Sequence, residues 1–223
     1  MTKTVIHKND VPYFGEEELY KIAQERNFAS MTFEVLSGKT PTQQQSRMFE
    51  IILNLCIDHG PDTPSAVETI KSAKNGETIS ESVAAGIQQI TNTHGGAIEP
   101  AMELFYKIEK EGLSIPKVVD EYLSKGERIP GFGHRIYEVD PRTEIIFDLC
   151  KKQKIADKYI DISREISKEL SSKKGRPIPD NTDDAIAAVL CSWGWESRLG
   201  KAVFIIARVP GLCGKYLNAT NQL

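Results

Sequence analysis

The sequence predicts an all-α fold, and three observations support that prediction. Apolar residues recur at intervals of three and four in one segment after another, which is the spacing of a helix face. No segment alternates between apolar and polar residues for long enough to indicate a half-buried strand. Cap signals and Gly or Pro breaks separate the segments, as they do between consecutive helices. With 223 residues, the chain is long enough for one large domain or two smaller lobes.

The first half of the chain shows seven helical segments after an irregular start. Residues 1–14 include Pro12 and are followed by Gly15, and they contain at most one short extended piece. The helical segments lie at about 16–26, 30–36, 42–56, 65–73, 79–90, 98–108 and 114–123. Acidic residues in the first turn of the first segment, Gly38 after the second and Thr42-Gln-Gln-Gln45 before the third are typical helix-end signals.

The second half predicts four further helices and one basic, Pro-bearing loop. Asp140-Pro141 begins the first helix, since Pro is tolerated in a first helical turn. Two helices share residues 140–170 with a break near Gln153, a loop follows at 171–180, and two more helices are expected at 181–190 and 196–207. The helix at 181–190 is rich in Ala, so we expect it to be closely packed.

Composition argues against several classes of protein. The formal net charge is −3, which gives no basic face for nucleic acid. The N-terminal residues lack the apolar stretch of a secretory signal, and the apolar run at 202–207 is far too short to span a membrane. Four widely spaced cysteines, with no CxxC or Cys/His pairing, indicate reduced core residues rather than zinc ligands. We therefore expect a cytoplasmic protein that holds no metal.

The chain is organised around a Gly-rich loop at residues 129–137, Ile-Pro-Gly-Phe-Gly-His-Arg-Ile-Tyr. Pro130 fixes φ, while Gly131 and Gly133 allow a positive φ and a close approach to a ligand. The loop is expected to present bare backbone amides, followed by the imidazole of His134 and the guanidinium of Arg135. An ordinary Gly-Pro turn with a chance His-Arg pair is the alternative interpretation.

Two other histidines lie beside glycines and have both a structural and a functional interpretation. His59, in Asp58-His59-Gly60-Pro61, follows a helix whose C-terminal dipole it can complement. His94 precedes two glycines at the start of a helix. It is therefore either a hinge residue or part of an oxyanion site formed with free amides.

The remaining candidates are charged. Asp183 is either an ordinary acidic residue in the first turn of a helix or a catalytic carboxylate. Arg208 follows an apolar run, and a buried charge there needs a partner. By themselves, Lys173, Lys174 and Arg176 indicate only a solvated loop. Together, the candidates supply a carboxylate base, neutral imidazoles for a developing enolate next to a thioester, and arginines for a polycarboxylate.

Two paired motifs resemble the citrate synthase superfamily in order and spacing. They are His94-Gly-Gly-Ala97 with Glu99, and Gly131-Phe-Gly-His134-Arg-Ile-Tyr137 with Asp140-Pro-Arg142. Ala207-Arg208-Val-Pro-Gly211 is similar to the late arginine segment of that family, and the similarity extends from about Phe28 to Tyr216.

Other segments resemble the citryl-CoA-cleaving branch, which includes stand-alone citryl-CoA lyases and the C-terminal module of ATP-citrate lyase. These segments are Asp58-His59-Gly60-Pro61 and Lys173-Lys174 followed by Asn181-Thr-Asp183. Thr182 and Asp184 replace the Val and Gly of the branch pattern.

The resemblance implies a large helical domain, residues 1–96 and 194–223, and a small helical domain, residues 97–193, with the CoA-binding loop and the catalytic Asp. It also implies roles for individual residues. These are catalysis by His94, His134 and Asp183, substrate binding by His59, Arg135, Arg142 and Arg208, and binding of coenzyme A by Pro130, Gly131, Gly133, Lys173, Lys174 and Arg176.

The function that the resemblance implies is reversible cleavage of citryl-CoA to acetyl-CoA and oxaloacetate. Alternatives are a citrate or methylcitrate synthase, a lyase for a related thioester such as citramalyl-CoA, and a non-catalytic CoA-binding subunit. Coenzyme A is then part of the substrate, and no metal is needed. We expect a homo-oligomer and, because no ATP-binding P-loop is seen, a separate citryl-CoA synthetase upstream.

Overall fold

A computed structural model describes residues 3–92 and 95–220. The described residues form eleven helices and one small sheet, which confirms the all-α prediction. The chain divides into two compact units, Met1–Asn54 and Leu55–Leu223. The two domains that the resemblance implies stay a prediction.

The first unit begins with a short antiparallel sheet. Its elements are β1 (Val5–Lys8), β2 (Val11–Phe14), β3 (Glu17–Glu18), α1 (Leu19–Glu25), α2 (Phe28–Ser37) and α3 (Gln43–Leu55), whose last residue belongs to the second unit. β2 pairs with both β1 and β3, and Asn9 and Asp10 form the first turn with φ of 50° and 63°. The irregular start predicted for residues 1–14 is therefore wrong. The strands are too short for an alternating pattern, and every residue of β1 is exposed.

The start predicted for the first helix is also wrong. Glu17 and Glu18 pair with β2 instead of beginning α1, whose first turn has no acidic residue. Glu17 accepts both of its hydrogen bonds from Nη2 of Arg26 at 2.7 Å. Arg26 also pairs with the fully buried carboxylate of Glu34, which Lys3 contacts at 2.6 Å. This ion-pair network connects β3, α2 and the chain segment before β1.

Two predicted helix ends of the first unit are confirmed. The hydroxyl of Thr42 accepts from the amide of Gln45, and the Gln45 side chain accepts from the amide of Thr42. This reciprocal pair is the capping box that the sequence indicates. Gly38 ends α2 in the left-handed conformation, with φ of 72°.

The second unit is helical throughout and is built around one buried helix. Its elements are α4 (Pro64–Lys74), α5 (Ile79–Gln88), α6 (Ile98–Glu111), α7 (Ile115–Ser124), α8 (Pro141–Gln153), α9 (Asp157–Lys174), α10 (Thr182–Ser192) and α11 (Arg198–Ala219). In α10 every residue from Asp184 to Cys191 is buried, as its Ala-rich sequence predicts. α6, α8 and α9 pack around it, while α11 packs against α4 and α5.

Two helices of this unit extend beyond their predicted ends. α9 continues to Lys174 and ends at Gly175 (φ 64°), so the loop predicted at 171–180 begins four residues late. α11 continues twelve residues past 207, through Pro210. Proline inside a helix removes one hydrogen bond and favours a break. Buried residues on both sides of it, Arg208 and Leu212, keep α11 packed and offset that loss.

None of the helices within 3–92 and 95–220 combines the length and apolar character needed to cross a membrane. Cys56, Cys150 and Cys191 are buried and Cys213 is partly exposed, all as free thiols. The prediction of reduced core or near-core cysteines is confirmed.

Candidate active site

Two segments far apart in sequence pair to form the base of the site. Phe132 forms an antiparallel bridge with Asp180, and the Gly133 amide donates to the Pro179 carbonyl at 2.7 Å. The Asn181 amide donates to the carbonyl of Gly131 at 2.9 Å. Because Asn181 also caps α10, the pairing places the Gly-rich loop directly beside the first turn of that helix.

Two amides at the centre of the loop are not bare, contrary to the prediction. The amides of Phe132 and Gly133 donate to carbonyls inside the protein. Gly131, at φ of 85°, lies so close to α10 that an added Cβ would be 2.8 Å from Cβ of Asp184. The glycine at 131 is therefore required for helix packing and for a positive φ.

A cavity of about 440 Å³ lies where the loop meets α10, and we call it the histidine cleft. The residues that define it are His59, His134, Arg135, Arg142, Asp183 and Arg208. All six were predicted as site residues, and they come from five places in the sequence. His59 precedes α4, the loop carries His134 and Arg135, and α8, α10 and α11 supply the other three.

The buried carboxylate of Asp140 holds Arg142 in the histidine cleft. Asp140 caps α8 and accepts three bonds from Arg142, from the backbone amide, from Nε at 3.0 Å and from Nη2 at 2.8 Å. It also accepts from the amide and hydroxyl of Thr182 at 3.2 and 3.0 Å. Burial alone would raise the pKa of Asp140, but these donors lower it below its ordinary value.

The hydrogen bonds of His134 fix its tautomer. Its Nδ1 accepts from the amides of Ile136 and Tyr137 at 3.0 and 3.1 Å, so the neutral ring carries its proton on Nε2. That Nε2 lies 3.3 Å from Nη2 of Arg142, which is also a donor. Two donors that converge in this way favour an acceptor oxygen between them. The His134 ring stacks on Tyr137, with centroids 4.6 Å apart.

Both cleft histidines have lowered pKa values. Burial is the main cause for each, and the positive charge of Arg142 contributes to both. His59 meets His134 edge to face, with centroids 5.7 Å apart, and its Nδ1 lies 3.4 Å from Nη1 of Arg142. Near neutral pH the cleft therefore holds two neutral imidazoles, which can donate hydrogen bonds without carrying charge.

Asp183 provides the carboxylate of the cleft. It lies in the first turn of α10, and its amide donates to the side chain of Asn181 at 2.9 Å. Burial raises its pKa to about 6, although the charges of Arg142 and Arg208 oppose that rise. A carboxyl group with a pKa near neutral can both accept and return a proton, which suits a general acid–base.

Arg208 is almost completely buried at the wall of the cleft. Its Nε donates to the Cys56 carbonyl at 2.9 Å, and its guanidinium lies over the ring of Phe204. Its Nη1 has no hydrogen-bond acceptor among the described residues. A buried guanidinium with an unpaired donor favours an anionic ligand.

A second cavity of about 800 Å³ adjoins the first, and we call it the basic cleft. Arg128, Lys174 and Arg176 contribute its positive charges, together with Arg135, which lines both cavities. Phe132, Leu170 and Ile178 contribute apolar surface. The combination suits a long ligand with both an anionic and an apolar part.

The structure does not bring every predicted residue to these cavities. Pro130, Gly131 and Lys173 are not among the lining residues of either cleft. Lys173 instead forms ion pairs with Asp120 and Glu169 at 2.7 and 3.2 Å. His94 lies outside the described residues. Gly95 lines the histidine cleft at φ of 69°, where an added Cβ would overlap the ring of Phe204.

Sequence reasoning gave Asp140 no role in the site and did not identify a second group of residues around the buried Asp184. Ser163 hydrogen-bonds both Asp184 and Asp180, and Arg164 donates to Asp180 at 2.9 Å. Asp140 carried a signal, because Asp-Pro marks a helix start and an Asp there can cap the helix. The contacts among the group at Asp184 depend on the packing of α9 against α10, and the sequence carried no signal for them. Within the described part of the chain, no three His, Cys, Asp or Glu side chains come together as metal ligands.

Comparisons with known proteins bear on the family and the fold of this chain. A family model described as citrate synthase, C-terminal domain, matches residues 4–223. The solved structure of citryl-CoA lyase from Hydrogenobacter thermophilus is 33% identical with a TM-score of 0.90, covering 99% of this chain and 86% of that one. Citrate synthase from Thermotoga maritima is 20% identical with a TM-score of 0.75, covering 87% of this chain and 54% of that one, and shows the fold alone.

Curated relatives are much longer than this chain. A probable ATP-citrate synthase subunit 1 from Neurospora crassa is 32% identical over 190 residues. The match covers 78% of this chain but only 28% of the fungal protein.

The raised pKa of Asp183 predicts a stability effect that does not depend on the reaction. In the unfolded chain the carboxyl ionises near 3.8, whereas in the folded chain it ionises near 6, so stability falls as the pH rises through this window. At pH values above this window the free energy of unfolding is lower by about 3 kcal/mol, since one pKa unit corresponds to about 1.4 kcal/mol. Asp183→Asn should remove the loss and raise the free energy of unfolding at about pH 8, with the gain shrinking towards pH 4. Urea unfolding across this pH range measures the difference, and a gain independent of pH would contradict the assignment.

Asp140→Asn tests the anchor of Arg142. Removing the negative charge lowers the pKa of both His59 and His134, because Asp140 raises each of them. NMR titration of the imidazole signals measures this change. The weakened pairing should also destabilise the fold by up to about 3–5 kcal/mol, the usual loss when one partner of a buried ion pair is removed. Asp148→Asn, on an exposed position of α8, is the matched control and should change neither quantity. Unchanged histidine titrations in Asp140→Asn would show that Asp140 does not act on the cleft.

Proposed function

The chain belongs to the citrate synthase family, and we propose that it is a citryl-CoA lyase, which cleaves citryl-CoA reversibly to acetyl-CoA and oxaloacetate. The observation that carries the proposal is the histidine cleft, where neutral imidazoles, arginines and a carboxyl of pKa about 6 meet. This set matches the demands of the reaction. The substrate head group is a polycarboxylate, and the bond that breaks leaves an enolate.

The arginines account for recognition of the carboxylates. Arg142 presents its guanidinium to the cleft with its far side bound to Asp140, so its remaining donors are fixed in direction. Arg208 has an unpaired donor, and Arg135 lies at the junction of the two clefts. Guanidinium groups bind carboxylates through paired hydrogen bonds, which gives orientation as well as affinity.

His134 is proposed to hold the oxygen at the reacting carbon. Its Nε2 proton and Nη2 of Arg142 converge within 3.3 Å, and an oxygen that changes between hydroxyl and carbonyl can accept from both. His59, the other neutral imidazole, is proposed to accept the proton that leaves this hydroxyl, or to hold a carboxylate of the substrate. The carbon–carbon bond then breaks, and its electron pair moves into the thioester as an enolate.

Asp183 is proposed to complete the reaction. In its protonated form it delivers a proton to the methylene carbon of the enolate, which gives acetyl-CoA. In the reverse direction the carboxylate removes that proton. His94 is proposed to donate to the thioester oxygen, as the family resemblance implies, so that the enolate charge is stabilised while it exists.

The basic cleft is proposed to bind the coenzyme A portion. Lys174, Arg176 and Arg128 supply charges for its phosphates, while Phe132 and Leu170 supply apolar surface for the rest. Roles for Pro130, Gly131 and Gly133 at the adenine end, and for Lys173 at the phosphates, remain part of the proposal. A homo-oligomer, a cytoplasmic location and a separate upstream synthetase are also proposals.

Two features favour a lyase over a condensing enzyme. The likeness to a citryl-CoA lyase reaches 33% identity and covers 86% of that chain. The Asp58-His59-Gly60-Pro61 segment, which resembles the lyase branch, contributes His59 directly to the cleft. A synthase must also hydrolyse the thioester, whereas a lyase must protect it from water.

Citryl-CoA supplied alone should yield oxaloacetate and acetyl-CoA. Malate dehydrogenase with NADH measures the oxaloacetate, and a thiol reagent should detect no free CoA. Citrate, ATP and CoA without another enzyme should give no product. Rapid release of CoA and citrate from acetyl-CoA and oxaloacetate, without oxaloacetate from citryl-CoA, would instead establish a synthase. Cleavage of citramalyl-CoA only would redirect the proposal to that substrate, and binding of CoA without turnover of any thioester would indicate a non-catalytic subunit.

Substitution of the proposed catalytic residues should lower turnover while CoA still binds. Asp183→Asn should reduce the rate by about 10²–10⁴, since it removes a general acid–base. His134→Ala and His94→Ala should each reduce it by about 10²–10³, the usual loss for one donor to a developing charge. Calorimetry with CoA checks binding. His7→Ala, on the exposed strand β1, is the control for a histidine that lines neither cleft. Wild-type turnover in any of the three variants would remove that residue from the mechanism.

A further inference from the structure

One face of α11 contacts three successive residues immediately before His59. Nε of Arg208 donates to the carbonyl of Cys56 at 2.9 Å. Gly211 lies so close to the chain that an added Cβ would be 2.1 Å from the Ile57 carbonyl oxygen. Nζ of Lys215 pairs with Oδ2 of Asp58 at 2.8 Å. Positions three and four apart share one helix face, so these three contacts form a continuous line along α11.

The residue that Lys215 holds is the one directly before His59. Burial would raise the pKa of Asp58, but hydrogen bonding, above all from Lys215, lowers it below its ordinary value. The ion pair between Lys215 and Asp58 therefore holds the chain one residue from His59. Gly60 follows at φ of 82°, so the chain turns sharply just after the histidine.

The position of His59 depends on the contacts that hold the preceding residues, 56–58. His59 lies between the end of α3 and the start of α4, so no helical hydrogen bonds position it. Its ring must nevertheless keep its edge-to-face contact with His134 and its 3.4 Å contact with Arg142. Catalytic groups lose activity when they move by about an ångström from their working geometry.

We propose that Lys215 is a positioning residue for His59, and that its ion pair with Asp58 fixes the backbone from which that imidazole enters the histidine cleft. Lys215 lines neither cleft and contacts no proposed substrate group. The effect of Lys215 on turnover rests on the proposed function, whereas its effect on the position of the His59 ring does not. Arg208 and Gly211 contact Cys56 and Ile57, so Lys215 adds a third contact to a line that begins at Arg208 in the wall of the cleft.

The ordinary alternative is an ion pair with no role beyond stability. Side chains of Lys215 and Asp58 are 17% and 36% exposed, and a pair at that level of exposure contributes little to stability. Such a pair, when removed, would change the unfolding midpoint slightly and leave the imidazole signals of His59 unchanged. The two explanations therefore differ in what happens to the ring.

Lys215→Met, with Lys215→Arg as the conservative variant, tests the proposal by NMR. The chain has four histidines, and a His59→Ala variant identifies the signals of His59 by their loss. Lys215→Met should shift those signals and raise the pKa of His59 towards its ordinary value, because the ring moves away from Arg142. Arg142, His134, Arg208 and Asp140 are the charged and titratable groups that set this pKa. Lys215→Arg should restore the wild-type signals, and unchanged signals in Lys215→Met would overturn the proposal.

Turnover of citryl-CoA provides the second measurement. Lys215→Met should lower kcat about tenfold with little change in CoA binding, and should cause no further loss in the His59→Ala background, because its effect acts through His59. Lys158→Met, which removes an ion pair with Glu109 away from both clefts, is the matched control and should keep wild-type kcat. A further loss in the His59→Ala background would overturn the proposal. If the wild-type protein does not cleave citryl-CoA, the proposed function fails, and the NMR result still decides the role of Lys215.

Discussion

The buried carboxylate of Asp140 is the contact on which the geometry of the histidine cleft depends. It caps α8, holds Arg142 through both oxygens and binds the first residue of α10, so one group orients two helix starts and an arginine. Arg142 in turn contacts the rings of His59 and His134. A carboxylate with five donors is satisfied without a ligand, so Asp140 can hold Arg142 and the start of α10 without help from a substrate.

Much of this arrangement followed from local rules in the sequence. Helical spacing, the Thr42 capping box and Gly38 predicted elements that the structure confirms. Glycines beside His59 and His134 and an apolar run before Arg208 made these residues candidates, whereas the catalytic role predicted for Asp183 came from the family resemblance. Asp183 was predicted at a helix start, and Asn181 caps that helix even though Thr182 and Asp184 depart from the family pattern.

The errors arose where tertiary contacts override local preference. Pro210 indicated a helix end, but packing by Arg208 and Leu212 keeps α11 continuous. Strands of two and four residues are too short to produce an alternating pattern. The bond from the amide of Gly133 to the carbonyl of Pro179 joins segments about fifty residues apart, and no local pattern reports such a partner. The same limit applies to Asp140, whose cap position was visible and whose contact with Thr182 was not.

The position of α11 in the sequence has a consequence for how the protein folds. Its bonds from Arg208 to Cys56 and from Lys215 to Asp58 join residues 152 and 157 positions apart. Closing loops of that length is entropically unfavourable until other structure has shortened them, so such contacts form slowly. During synthesis, α11 emerges after every other helix of the second unit. A nascent chain therefore carries His59 and His134 long before it has Arg208, which forms part of the cleft wall, and the cleft is assembled only when nearly all of this unit has left the ribosome.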